Sequence, residues 1–266
     1  MITQINSEIV KNLVQPLPSS HKGNNGRILI IGGSEKYHGA PILAAKMASK
    51  IVDVVYFFSA ITNNEIVKKM KSELAEFIIL TSVDLPQYIP LVDVVLIGIG
   101  MEQTKETEDT INNFLKYYPE KKVVIDADAI KMVDKSFLNR HCILTPHAKE
   151  FEILFHLPAT SENVFMMSKQ YHAIILLKGQ KDYVSDGEDL WENVTGNAGM
   201  TKGGTGDVLS GLITALAAKN ELCLAAKAGV FINGYAGDRL KKKVSFFFNA
   251  SDLVAEIPYV LKELTE

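Results

Sequence analysis

The sequence is short of the features that mark several protein classes. Its 266 residues hold only two cysteines, Cys142 and Cys223, and one tryptophan. The cysteines lie far apart in apolar stretches and match no metal spacing, so they read as core thiols rather than a disulfide framework or a zinc site. No basic segment followed by an apolar one opens the chain, and a reducing cytoplasm is the expected location. The longest apolar runs, such as AIILL, fall far short of the roughly 18–20 residues that span a bilayer. Charge of one sign is also missing. A formal net charge of −3 supplies no basic field of the kind that draws nucleic acid or anionic lipid. Small molecules remain as partners.

What the chain does have is a hydrophobic content of 47%, enough for a sizeable core. Short β-branched runs recur: RILIIGG from Arg27, DVVYFFS from Asp53, EFIIL from Glu76, DVVLIGIG from Asp93, KVVIDAD from Lys122, CILTP from Cys142 and AIILLKG from Ala173. They are continuously apolar rather than alternating, as strands covered on both faces should be. Helix-length segments lie between them, including APILAAKMASKI, ETEDTINNFLKYY and SENVFMMSKQY. This alternation predicts an α/β domain around a parallel sheet. After Gly179, KDYVSD and DLWENV read as an antiparallel hairpin turned at DGED, and helices follow to the end. No linker, repeat or composition shift divides the chain, so residues 1–266 are expected to form one domain, residues 1–20 being an N-terminal extension.

Ligands of open parallel sheets bind beyond the carboxyl ends of the strands. Here those ends carry GGS, GIG, DAD, TPH and KG, which one cleft could gather. The stretch TGNAGMTKGGTGDVLSG, residues 195–211, holds six of the eighteen glycines and one acid, Asp207. Backbone N–H groups of Gly203, Gly204, Thr205 and Gly206, at the first turn of a helix beginning near Asp207, would form an anion hole for phosphate. A simple helix cap is the competing reading. An acid beside an anion hole makes sense if it takes a proton from a hydroxyl while the amides hold a transferring phosphoryl group, so Asp207 is the candidate base. The chain has neither a GxxxxGK[ST] loop nor a GxGxxG fingerprint.

Taken together, HKGNNGRILIIGGSEKYHGAPILAA, GIGM, DADA, LTPHAKE, LLKG, GNAGMTKGGTGDVLSG, NGYAGD and ASDL resemble, in order, the ADP/ATP-dependent NAD(P)H-hydrate dehydratases of the ribokinase-like superfamily. The resemblance runs from His21 to Pro258. It implies a three-layer sandwich with helices on both faces of a mostly parallel sheet. The implied activity restores NADH or NADPH from the hydrated form, with ADP or ATP as phosphoryl donor and Mg2+ beside it. Asp207 then falls on the substrate's hydroxyl, and Ala40, Gly100 and His147 on the hydrated dinucleotide. Lys178, Gly179, Gln180, Lys181, Asp182 and Gly206 fall on the donor nucleotide, and Glu150 on the acid that orients magnesium. The resemblance implies a homotetramer, and the apolar segment from Ala250 could help to form its interface or simply cover the sheet. The fused epimerase partner of the family is absent from this sequence, so action on the S epimer alone is expected.

Each residue has a plainer role. His147 could cap AKEFEILF, Glu150 could serve the helix dipole, Asp126 and Asp128 could be strand-end turn residues rather than metal ligands, and Lys178 could be solvated. The chain departs from the family pattern at Ile99, Ala148, Lys149 and Asn233. Lys149 would either favour a hydrated NADPH or point to solvent. A ribokinase-like kinase of a hydroxymethyl compound or sugar, and a nucleotide-binding regulator without catalysis, are the competing functions.

Overall fold

A computed structural model describes residues 2–59, 67, 68, 71 and 74–266. Its strands are β1 (Ile2–Gln4), β2 (Arg27–Ile31), β3 (Val54–Phe58), β4 (Ile78–Leu80), β5 (Val94–Ile97), β6 (Lys122–Ile125), β7 (Cys142–Leu144), β8 (Ile174–Leu177), β9 (Asp182–Ser185) and β10 (Leu190–Asn193). They form one sheet in the order β1-β10-β9-β8-β7-β6-β5-β2-β3-β4. All seven apolar runs become strands, and every pairing from β4 across to β8 is parallel. The expected hairpin is β9 and β10, paired antiparallel, and β9 also runs antiparallel to β8. The hairpin turns at Asp186, whose carboxylate accepts the N–H groups of Glu188 and Asp189 at 3.0 and 2.9 Å.

The helices are α1 (Glu8–Lys11), α2 (Gly39–Ala48), α3 (Leu85–Tyr88), α4 (Lys105–Tyr117), α5 (Asp128–Met132), α6 (Ala148–Phe155), α7 (Ser161–Tyr171), α8 (Thr205–Ala217), α9 (Leu222–Val244) and α10 (Ala250–Thr265). Alternate strand residues explain why the runs are continuously apolar. Ile28, Ile30, Val94 and Leu96 face a core shared with α2, α8, α9 and α10. Leu29, Ile31, Val95 and Ile97 face a second core with α4, α6 and α7. Both faces of the sheet are therefore dry, and burial of these side chains is the main stabilising term. Local chemistry fixes where helices begin: Thr104 accepts the N–H of Thr107, Thr160 that of Asn163, and Asn249 those of Ser251 and Asp252.

The first residues pack onto the domain. β1 pairs parallel with β10 at the sheet's outer edge, and Val10 and Leu13 are buried in the first core. The exposed ladder of β10 offers backbone groups that any extended segment can satisfy, and TQ next to two isolated apolar residues gave no strand signal of its own.

Candidate active site

The carboxyl ends of β2, β5, β6, β7 and β8 meet along one edge of the sheet. Gly33, after β2, donates its N–H to the Ile99 carbonyl after β5 at 2.8 Å, and Lys178, after β8, donates its N–H to the Pro146 carbonyl after β7 at 2.8 Å. Ile99 is fully buried, so its side chain belongs to the core while its backbone joins two turns. Gly100 lies against the start of α2, where an added Cβ would come within 3.4 Å of the Ala40 methyl. Two of the three residues expected on the dinucleotide, Ala40 and Gly100, are thus neighbours.

The glycine segment leads into α8, which begins at Thr205, two residues earlier than read from the sequence, so that Asp207 sits inside its first turn. Gly204 caps the helix at φ +95°, where a side chain would be strained, and its missing Cβ would lie 2.5 Å from Leu43 Cδ1. A Cβ at Gly203 would meet nothing within 4 Å, and one at Gly206 would meet only the Lys178 ammonium, at 3.8 Å. The first N–H groups of a helix have no intrahelical acceptor, and here they open onto space bounded by a cation. The Thr205 hydroxyl is committed elsewhere, its one proton shared between the carbonyls of Met200 and Lys202 at 2.7 and 2.9 Å. Its backbone N–H also turns inward, to the Lys202 carbonyl at 3.4 Å, so the donors left for a ligand are those of the neighbouring glycines. Two other glycines of the segment serve packing: Gly199 sits against Phe248 and Gly211 against the backbone of Ala44.

Charged groups converge beside this helix end. Lys178 Nζ pairs with Asp126 Oδ1 at 2.8 Å, its side chain 20% exposed against 3% for Asp126. Asp126 Oδ2 accepts the hydroxyl of Ser210, one turn after Asp207 on α8. Burial pushes the Lys178 ammonium down, but Asp126, Glu150 and Asp207 outweigh it, and its pKa is raised. Asp207 is half-buried and its pKa is pushed up to about 7, first by burial and then by the charge of Asp126, with Lys178 opposing. Burial likewise raises Glu150, against the pull of Lys178. A half-buried carboxyl group poised near neutrality is suited to moving protons.

His147 and Glu150 combine the plainer reading with proximity to the site. His147 Nδ1 accepts the Glu150 N–H at 3.3 Å and Glu150 Oε2 accepts the His147 N–H at 2.9 Å, a reciprocal cap for α6. His147 also bridges to Lys178 across the strand ends. Ala148 and Lys149 are exposed in the same first turn. Asp182 closes the turn after β8, accepting the Gly179 N–H at 3.0 Å and the Asn193 amide at 2.9 Å. Gln180 is exposed, and Lys181 pairs with Glu192 at 3.0 Å. Asp128 turns away from the cluster, toward Lys131 and Gln103 at 2.9 Å each. Asn233 is buried on α9, and its Oδ1 has no hydrogen-bond partner among the described residues.

Ser210 was missed in the sequence because a serine within an apolar helix carries no signal of a distant partner. No group of three or more His, Cys, Asp or Glu is placed to hold a metal ion among the described residues. A cavity of about 520 Å3 opens at the far end of α8, lined by Leu13, Leu17, Ile51, Leu216, Lys219, Leu261 and others, and shares no residue with the strand-end cluster.

The mostly parallel sheet covered by helices on both faces is a ribokinase-like fold, and solved structures share it. One is an ADP/ATP-dependent NAD(P)H-hydrate dehydratase from Bacillus subtilis, co-crystallised with ATP and Mg2+, with a TM-score of 0.83 at 23% identity over 99% of each chain. The sequence model of a family described as NAD(P)H-hydrate dehydratase matches residues 28–259, and the chain belongs to that family. The bifunctional NAD(P)H-hydrate repair enzyme of Methanocaldococcus jannaschii is 43% identical over 256 residues, covering 92% of this chain and 50% of the relative. The ADP-dependent (S)-NAD(P)H-hydrate dehydratase of Nitrosopumilus maritimus is 33% identical, covering 97% of this chain and 96% of the relative. The chain thus spans about half the length of the bifunctional relatives.

Proposed function

We propose that the protein dehydrates the S epimer of hydrated NADH and NADPH, using ADP or ATP to turn the ring hydroxyl into a phosphate leaving group. The observation that carries this reading is Asp207: a half-buried carboxyl with its pKa near 7, in the first turn of α8, beside open glycines and the Lys178 ammonium. Asp207 takes the hydroxyl proton as that oxygen bonds to the terminal phosphorus and the nucleotide's bridging oxygen departs. The N–H groups at the start of α8 and Lys178 hold the charge on the phosphoryl oxygens. The ring nitrogen's electrons then expel phosphate, and loss of a proton from the neighbouring carbon restores the dihydronicotinamide.

Ala40, Gly100 and His147 would line the dinucleotide side, and residues 178–182 the donor side. Glu150 is the residue to meet a magnesium ion. As a single buried carboxylate it suits an ion held mainly by water and the nucleotide's phosphates, where the ion would supply charge neutralisation. The proposal extends to one functional domain over residues 1–266 and to a cytoplasmic homotetramer. Exposed Phe247, just after α9, and Tyr259, midway along α10, are available apolar surface for such an assembly. No helix of the described residues is long and apolar enough to cross a membrane.

The test is stoichiometric. Chemically hydrated NADH with ADP or ATP should yield NADH and inorganic phosphate in equal amounts. A stable phosphorylated product without NADH would identify a kinase instead. A sizing column read against a 29 kDa protomer tests the tetramer.

A further inference from the structure

Asp126 is 2% exposed and sits where β6 ends, followed by Ala127 at φ +53°, a left-handed backbone that alanine adopts only under constraint. A carboxylate this deeply enclosed is costly unless its oxygens are paired. Both are, and by two different elements. Oδ1 holds the Lys178 ammonium at 2.8 Å, and Oδ2 accepts the Ser210 hydroxyl. Ser210 is three residues beyond Asp207 on α8, and its hydroxyl also lies 3.0 Å from the Gly206 carbonyl. One carboxylate therefore joins the helix that carries the base and the glycine loop to the lysine that faces them. A lysine is a point charge on a flexible stem and does not hold its own position. The ammonium lies 3.8 Å from where a Gly206 side chain would begin, so its placement decides whether it can share a phosphate with the helix amides.

We infer that Asp126 is a positioning residue for phosphoryl transfer, clamping the Lys178 ammonium and the Ser210 turn of α8 into one frame around the donor phosphate. The inference rests on the reading of residues 178–182 and the glycine loop as the nucleotide side. It gives the first acid of DADA a role other than metal ligand or turn residue.

A double-mutant cycle tests it, with ADP binding followed by calorimetry and steady-state kinetics run on both substrates. Asp126→Asn and Lys178→Met should each weaken ADP binding roughly tenfold. The double variant should be no weaker than Lys178→Met, because removing the clamp costs nothing once the clamped group is gone. Asp126→Asn should raise KM for the nucleotide while leaving KM for the hydrate within about twofold, a split that general loosening of the fold does not produce. Single losses that multiply in the double variant would overturn the inference, as would normal ADP binding by Asp126→Asn when Lys178→Met binds weakly. Normal ADP binding by Lys178→Met would instead remove the nucleotide-side reading and the inference with it. If Asp126→Asn fails to fold, Ser210→Ala carries the test. It keeps both charges and should lower kcat about tenfold with nucleotide affinity little changed; unchanged kcat would break the proposed tie to α8.

Discussion

Asp126 lies close enough to Asp207 to raise its proton affinity, and does so in the same sense as burial, which is the larger cause. The two carboxyl groups come from different elements, the end of β6 and the start of α8, so their repulsion is built into the fold rather than into a local sequence pattern. With a pKa of about 7, Asp207 is half-protonated at neutral pH. If it must be ionised to accept the hydroxyl proton, kcat/KM rises with pH through a midpoint near 7 and levels above it. A pH–rate profile checks this. A midpoint near 4, where an ordinary aspartate titrates, would contradict the assignment.

The same shift makes a stability prediction of opposite direction. The folded protein keeps the Asp207 proton up to about pH 7, while the unfolded chain loses it near 3.8. Between those values the folded state binds more protons, so this group's contribution to stability falls as pH rises. Asp207→Asn removes the buried charge and should stabilise the protein at pH 8 by about 1–3 kcal/mol, with little difference at pH 4. Urea unfolding at both values measures it. A variant less stable than wild type at pH 8 would contradict the buried, charge-repelled setting.

Adjacent glycines separate folding from binding. Gly204→Ala places a side chain at φ +95° and 2.5 Å from Leu43, and should cost about 1–3 kcal/mol in unfolding free energy. Gly203→Ala meets no atom within 4 Å and should leave the thermal midpoint unchanged, while crowding the approach of phosphate and raising nucleotide KM several-fold. Thermal unfolding and nucleotide titration of the two variants distinguish these outcomes. Equal stability losses would refute the division of roles.

Much of the fold was legible in the sequence. Short continuous apolar runs between helix-length segments read as buried strands, and they became β2 through β8, with β4 a half-exposed edge; β1 was illegible because it has three residues, all exposed, and pairs only because β10 presents an open edge. In the site, Asp207 and the open glycines stood out by local pattern. The junction of Asp126, Lys178 and Ser210 did not, since residues 52 and 84 positions apart in the chain meet only through the sheet and the α8 packing. His147 shows the reverse case: its capping role is written in the local HxxE spacing, whereas proximity to a dinucleotide is not.

The two readings of His147 can be divided by substitution. Asparagine is a good helix cap and alanine is not, so His147→Ala should lose about 1 kcal/mol of stability and His147→Asn much less. If His147 also contacts substrate, both variants raise KM for the hydrate. An unchanged hydrate KM in His147→Asn would leave capping as its whole task.

The most direct measurement uses purified wild-type protein and Asp207→Asn, each with chemically prepared hydrated NADH and ADP or ATP, followed by the returning absorbance of the dihydronicotinamide. The expected result is nucleotide-dependent recovery by the wild type and a loss of about a thousandfold in the variant, with nucleotide binding retained. No recovery with either nucleotide, or full recovery by Asp207→Asn, would contradict the central claim that Asp207 is the base of a phosphorylation-driven dehydration.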